Sequence, residues 1–159
     1  MASLKSLAKD TAIYGLSSIV GRFLNYLLVP LYTAKMSAES GGYGVITNMY
    51  AYTALLLVIL TYGMETTFFR YANKEGEDAR RVYSTTLWMV AATSAIFVLL
   101  VLAFIHPISS FMGYADHPSY VWVMAATVAL DAFQCIPFAY LRYQKRPIKF
   151  ASLKLLFIV

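Results

Sequence analysis

TAIYGLSSIVGRFLNYLLVPLY, residues 11–32, is long enough at about 1.5 Å per residue to cross roughly 30 Å of hydrocarbon, and it carries a single charge, Arg22, near its middle. An ion at that depth costs about 2.5–3.5 kcal/mol on insertion scales unless protein or water receives it, so Arg22 is a functional candidate by default. Windows 43–64, 84–105 and 120–141 have the same length and apolar character, and of these only the last contains a charge, Asp131. A fifth apolar run, 150–159, is about half the length needed to cross. These windows predict an all-α integral membrane protein: a polytopic helix bundle with four full transmembrane helices and an incomplete fifth. Residues 1–159 are read as the N-terminal part of one transmembrane domain, with further spans expected after Val159.

Composition excludes a water-soluble fold. Hydrophobic residues make up 60% of the chain and charged ones 13%, against roughly half and a quarter in soluble domains. The net charge of +5 does not indicate nucleic acid, because the charges follow loop order instead of clustering on one soluble face. Lys5 and Lys9 precede the first span, Arg70, Lys74, Arg80 and Arg81 follow the second, and Arg142, Lys145, Arg146 and Lys149 follow the fourth. The two other connections hold only Lys35, and this positive-inside pattern predicts a cytoplasmic N-terminus. The first apolar segment is too long for a cleavable signal and continues through Pro30 without a small-residue cleavage site. Cys135 is the single cysteine, which excludes a disulfide framework and a thiolate metal cluster.

Between the spans the chain is short and polar. Residues 1–10 read as an amphipathic lead-in at the cytoplasmic surface, and 35–44, with Gly41 and Gly42, as an external turn. Residues 65–83 mix Glu75, Glu77 and Asp78 with Lys74, Arg80 and Arg81, as a solvated cytoplasmic connection does, and 65–71 is expected to extend the second helix. The external connection 106–119 contains His106-Pro107 and His117-Pro118, and each proline biases its preceding histidine away from helix.

Tyr14, Ser18, Arg22, Asn25 and Val29 form a polar stripe on the first span, beside the small residues Gly15, Ser17 and Gly21 that let a neighbouring helix approach. Arg22 either lines a hydrated cavity and meets an anionic substrate group, or pairs permanently with Asp131 at similar depth. Asp131, near Thr127 and Gln134, is an ion-coupling candidate or that counter-ion, and Pro137 would free a carbonyl nearby. Asn48, Tyr50 and Tyr52 on the second span can bind sugar hydroxyls or bridge helices, and bridging is the commoner use. Arg70 can attract lipid phosphates or serve topology alone, and Lys154 lies near enough to the cytoplasm to snorkel. Tyr43, Tyr62, Trp88, Tyr120 and Trp122 read as interfacial belt residues. His106 and His117 are two potential metal ligands without a third, and loop histidines are the simpler reading. There is no Asp-rich magnesium motif, H-E-x-x-H, G-x-S-x-G or phosphate-cradling glycine loop, so neither catalytic chemistry nor a cofactor is expected.

Several segments together carry a resemblance: Leu7 to Thr11, Gly21-Arg22 with Pro30-Leu31-Tyr32, Tyr43-Gly44-Val45, Tyr62 to Tyr71, and Tyr140-Leu141-Arg142 ahead of Arg146-Pro147. In these the chain resembles the N-terminal part of the Wzx-like polysaccharide and oligosaccharide flippases, relatives of the MurJ-type lipid II flippases and the MATE drug exporters. The resemblance implies the first lobe of a two-lobed transporter in the bacterial inner membrane. It implies alternating access for a polyprenyl-diphosphate-linked oligosaccharide destined for surface polysaccharide or lipopolysaccharide, with membrane lipids and polysaccharide assembly proteins as partners. Arg22 matches the first-helix arginine of flippase relatives, so a diphosphate-binding role comes to that residue from the resemblance. The rival readings are a cation-coupled multidrug antiporter of the same fold, a membrane enzyme acting on polyprenyl phosphate, and a small four-helix structural protein.

Overall fold

The computed structural model describes residues 4–35 and 42–158, together with the side chains of most of them. Every regular element among the described residues is an α-helix: α1 (Leu4–Lys35), α2 (Gly42–Thr61), α3 (Met64–Ala72), α4 (Ala79–Ala103), α5 (Ile105–Phe111), α6 (Pro118–Tyr143) and α7 (Pro147–Ile158). Three stretches among the described residues are long and apolar enough to cross a membrane: Gly42–Ala72, Ala79–Ala103 and Pro118–Tyr143. They coincide with the second, third and fourth expected spans. A helix satisfies its own backbone, which makes it one of the few structures hydrocarbon tolerates.

The chain divides into two compact units, Met1–Ile46 with Tyr140–Val159, and Thr47–Ala139. In the first, α1 packs against α7. The core of the second is built on α6, where Val121, Met124, Ala125, Val128, Ala132 and Ile136 recur at steps of three and four and are all buried. Leu60 of α2, Met64 of α3, and Val90 and Val101 of α4 complete that cluster. On α4 the buried Thr86 and Ser94 lie on the same stripe as Val90, and Thr86 satisfies its hydroxyl on the Val82 carbonyl at 2.9 Å. Large apolar side chains face outward, among them Leu55 and Val58 on α2, Ile96 and Leu99 on α4 and Leu130 on α6. This inverted surface suits lipid, and the described residues are those of an all-helical membrane protein.

Three boundaries differ from those expected. The second span, expected unbroken over 43–64, is interrupted at Tyr62 and Gly63, whose φ values are 32° and 71°. The left-handed backbone ends α2 and restarts the chain as α3, so residues 64–72 form a separate helix and not a simple extension. The third span was expected to begin at Ser84, yet α4 begins at Ala79, because the Asp78 carboxylate accepts the Arg80 amide hydrogen at 2.9 Å and caps the first turn. The external connection was expected to hold both histidines outside helices. His117 does lie outside, before Pro118 opens α6, but His106 is in α5. Pro107 falls in the first turn of α5, where its missing N–H forfeits no helical bond.

Candidate functional site

The sequence-predicted residues differ in how far the structure places them. α1 continues as helix through Pro30 to Lys35, so residues 22 and 25 sit on helical backbone. The side chains of Arg22 and Asn25, and with them the proposed pairing of Arg22 with Asp131, lie outside the described residues. Arg70 is exposed in the last turn of α3, where a cation complements the negative end of the helix. Asp131 lies off the buried stripe of α6 and is exposed on the surface of its unit, between exposed Leu130 and buried Ala132. Thr127 turns its hydroxyl back to the Val123 carbonyl at 2.9 Å, so its donor is used within its own helix.

Asn48 is exposed on α2, and its amide donates to the Tyr114 hydroxyl at 3.0 Å. Tyr114 follows α5, held by its amide on the Ser109 carbonyl at 2.7 Å, and meets Tyr120 edge-on at 6.1 Å between ring centroids. Tyr120 also stacks on His117 at 5.0 Å. Leu102, Ile105, His106, Pro118, Ser119 and Trp122 line an open groove of about 420 Å³ at the same end of this unit. Asn48 therefore bridges elements through Tyr114, a partner that no spacing in the sequence indicates. Tyr120, read as a belt residue, also belongs to this cluster.

The first unit holds a cluster that sequence reading did not assemble. The Phe150 ring, buried in the first turn of α7, receives the Tyr14 ring edge-on at 5.0 Å. The Arg142 guanidinium carbon lies 5.8 Å from the same ring centroid and the Lys154 Nζ 5.3 Å from it. Arg142 reads in sequence as a topology charge and Lys154 as a snorkelling one. Their common ring lies between them in the chain, and the only available signal was the i, i+4 spacing of Phe150 and Lys154.

Charge separates with the units. Residues 1–46 and 140–159 contain Lys5, Lys9, Arg22, Lys35, Arg142, Lys145, Arg146, Lys149 and Lys154 against Asp10 and Glu39, nine basic residues to two acids. Residues 47–139 contain Arg70, Lys74, Arg80 and Arg81 against Glu65, Glu75, Glu77, Asp78, Asp116 and Asp131, four to six. The formal charges are +7 and −2, which together give the +5 of the chain. The positive charge of the chain is thus concentrated in the first unit.

Comparison with curated proteins and with solved structures gives no significant match. A family described as "Polysaccharide biosynthesis protein" matches residues 7–149, a range that takes in α2 to α6 and most of α1, and the match agrees with the resemblance to polysaccharide flippases. On a match that covers nearly all of its length, this chain belongs to the polysaccharide biosynthesis protein family.

Proposed function

We propose that the protein moves a polyprenyl-diphosphate-linked oligosaccharide across the bacterial inner membrane by alternating access, without covalent chemistry and with its N-terminus in the cytoplasm. The observation that carries this reading is the segregation of charge: nine basic residues to two acids in the unit that contains α1 and α7. A sugar head group with its phosphates cannot cross hydrocarbon unaided, because stripping water from an ion costs far more than a bilayer returns. A cationic, hydrated path escorts the phosphates while the isoprenoid tail stays in lipid. Arg22 is assigned to the diphosphate, Asn25 and Asn48 to sugar hydroxyls, Arg70 to lipid phosphates at the membrane surface, and Asp131 to the coupling ion. Asn48 retains its side-chain carbonyl for this role, since the hydrogen bond to Tyr114 uses the amide nitrogen.

One observation favours a second reading. Asp131 is exposed on the net-acidic unit, as a cation-coupled drug exporter of related fold would require. Flipping of a fluorescent polyprenyl-diphosphate oligosaccharide in proteoliposomes separates the two. Arg22→Ala is expected to lose at least tenfold of the rate while still inserting, and Arg22→Lys to lose less if charge matters more than fork geometry. Unchanged flipping by Arg22→Ala refutes the role of Arg22. If wild type shows no flipping and Asp131→Asn abolishes uptake of an organic cation, the exporter reading replaces the flippase.

A further inference from the structure

We propose that Asn48, Tyr114, His117 and Tyr120 form a saccharide-binding subsite at the external end of the Thr47–Ala139 unit, for a neutral sugar ring of the transported head group. The subsite rests on the proposed function and deepens it by naming the groups that meet the sugar. Asn48 and Tyr114 share one hydrogen bond, in which the amide donates to the hydroxyl at 3.0 Å. That bond leaves the Asn48 carbonyl oxygen and the Tyr114 O–H unspent among the described residues. With the amide turned over, an amide N–H and a hydroxyl lone pair are left instead, so in either orientation the pair presents a donor beside an acceptor. Two neighbouring hydroxyls of a sugar ring are the matching set, since each both donates and accepts.

The backbone explains why these side chains meet. α5 ends with Gly113 at φ 81°, where the Gly113 amide donates to the Ser110 carbonyl at 3.1 Å and the Tyr114 amide to the Ser109 carbonyl at 2.7 Å. The His117 amide then donates to the Tyr114 carbonyl at 3.0 Å, and the Tyr120 amide to the His117 carbonyl at 3.1 Å. Three residues at steps of three are thereby drawn together where α6 begins. His117 stacks on Tyr120 with ring centroids 5.0 Å apart, and Tyr114 meets Tyr120 edge-on at 6.1 Å. Tyr120 and His117 are both exposed, and Pro118 and Ser119, which lie between them in the chain, line the open groove beside Trp122.

The chemistry selects a neutral polyhydroxyl ligand over an anion. Neither residues 36–69 nor 82–141 contain a lysine or arginine, so this end of the unit offers no guanidinium or ammonium to a phosphate. An aromatic face carries partial negative charge and suits the slightly positive C–H groups on the flat side of a sugar, while amide and hydroxyl groups take its polar edge. The exposed side of α2 is polar at this end, with Thr47, Asn48 and Tyr50, and apolar further on, with Leu55, Val58 and Ile59. Unspent polar groups are costly against hydrocarbon, which sets this end of α2 toward water or a polar ligand.

The test is a binding titration of the full chain in neutral detergent with geranylgeranyl diphosphate and with the same diphosphate carrying glucose, galactose or N-acetylglucosamine. Geranylgeraniol is the control without phosphate. The ratio of sugar-bearing to bare diphosphate affinity reads the sugar contact, because a purely structural role shifts both affinities together. Wild type is expected to bind at least one of the three sugar-bearing lipids at least fivefold more tightly than the bare diphosphate. Tyr114→Phe, which keeps the ring and removes the hydroxyl, and Asn48→Ala are each expected to reduce that gain to less than twofold. Tyr120→Leu is expected to abolish it, and in all three variants the bare diphosphate is expected to bind within twofold of wild type. Ser110→Ala, exposed on α5 outside the cluster, is expected to change neither affinity by more than twofold. If Tyr120→Leu does not fold, Tyr114→Phe decides. The proposal is overturned if none of the three sugars adds affinity, if the gain survives the substitutions, or if they weaken bare and sugar-bearing lipids equally. Diphosphate binding at least tenfold tighter than the alcohol, with no gain from any sugar, removes this site and leaves the proposed function standing. A diphosphate that binds no better than the alcohol removes both.

Discussion

The side-chain amide of Asn48 donates to the Tyr114 hydroxyl at 3.0 Å, joining the first half of α2 to the segment that follows α5. Polar pairs between helices in membranes contribute about 0.6 kcal/mol on average, because alternative partners are available when the pair is broken. Asn48→Ala and Tyr114→Phe are each expected to lower thermal stability slightly, with a coupling of about 0.6 kcal/mol in a double-mutant cycle. Strict additivity of the two changes would show that the bond contributes nothing in the membrane.

Gly63 tests the break in the second span. A Cβ added there meets no atom within 4 Å, so the space admits a side chain and only the φ of 71° disfavours one. Gly63→Ala is expected to destabilise by about 1–2 kcal/mol, the usual penalty for an L-residue in the left-handed region. Gly63→Asn is expected to recover much of this, since asparagine tolerates that region. Denaturant unfolding in detergent measures both, and an asparagine variant no better than alanine would rule out a purely conformational cause.

The two faces of α6 are expected to respond oppositely to substitution. Ala132 is fully buried in the helix stripe and Leu130 is 62% exposed. Ala132→Leu forces side-chain volume into a closed contact and is expected to cost about 1–3 kcal/mol. Leu130→Ala removes atoms from the lipid-facing side and is expected to change stability by less than about 0.5 kcal/mol. A reversed order in melting temperature would mean that the packed and lipid-facing sides have been exchanged.

Topology is open to direct labelling. On a Cys135→Ser background, cysteines introduced at the exposed positions Ser110 and Lys149 report opposite sides of the membrane. With a cytoplasmic N-terminus, an impermeant maleimide added to intact cells is expected to label Ser110→Cys after outer-membrane permeabilisation, and Lys149→Cys only after lysis. The opposite pattern would invert the assigned orientation.

Length and apolarity made the second, third and fourth spans legible, since a segment that crosses hydrocarbon must satisfy its own backbone and the helix does so locally. The same local logic accounts for Pro118 opening α6. It failed where conformation depends on a few dihedrals: the break at Tyr62 and Gly63 lies inside an uninterrupted apolar window, and hydropathy does not register φ. It failed again at His106, because the bias that Pro107 places on its predecessor is weaker than the tolerance of a first helical turn for proline.

What primary structure establishes for this protein is therefore its solvent, the helical state of its spans and the excess of basic residues, all properties of short windows. Folding in three dimensions assigns partners. It bonds Asn48 to Tyr114, leaves Asp131 outside the packed stripe of α6, and seats Arg142 and Lys154 around Phe150. Helical periodicity ranks the faces of one helix, whereas the meeting of two faces depends on the turns between them, here the left-handed backbone at Gly63 and Lys145. A change of a few dihedrals at such a turn redirects an entire helix, and for that reason the site is a property of the folded chain.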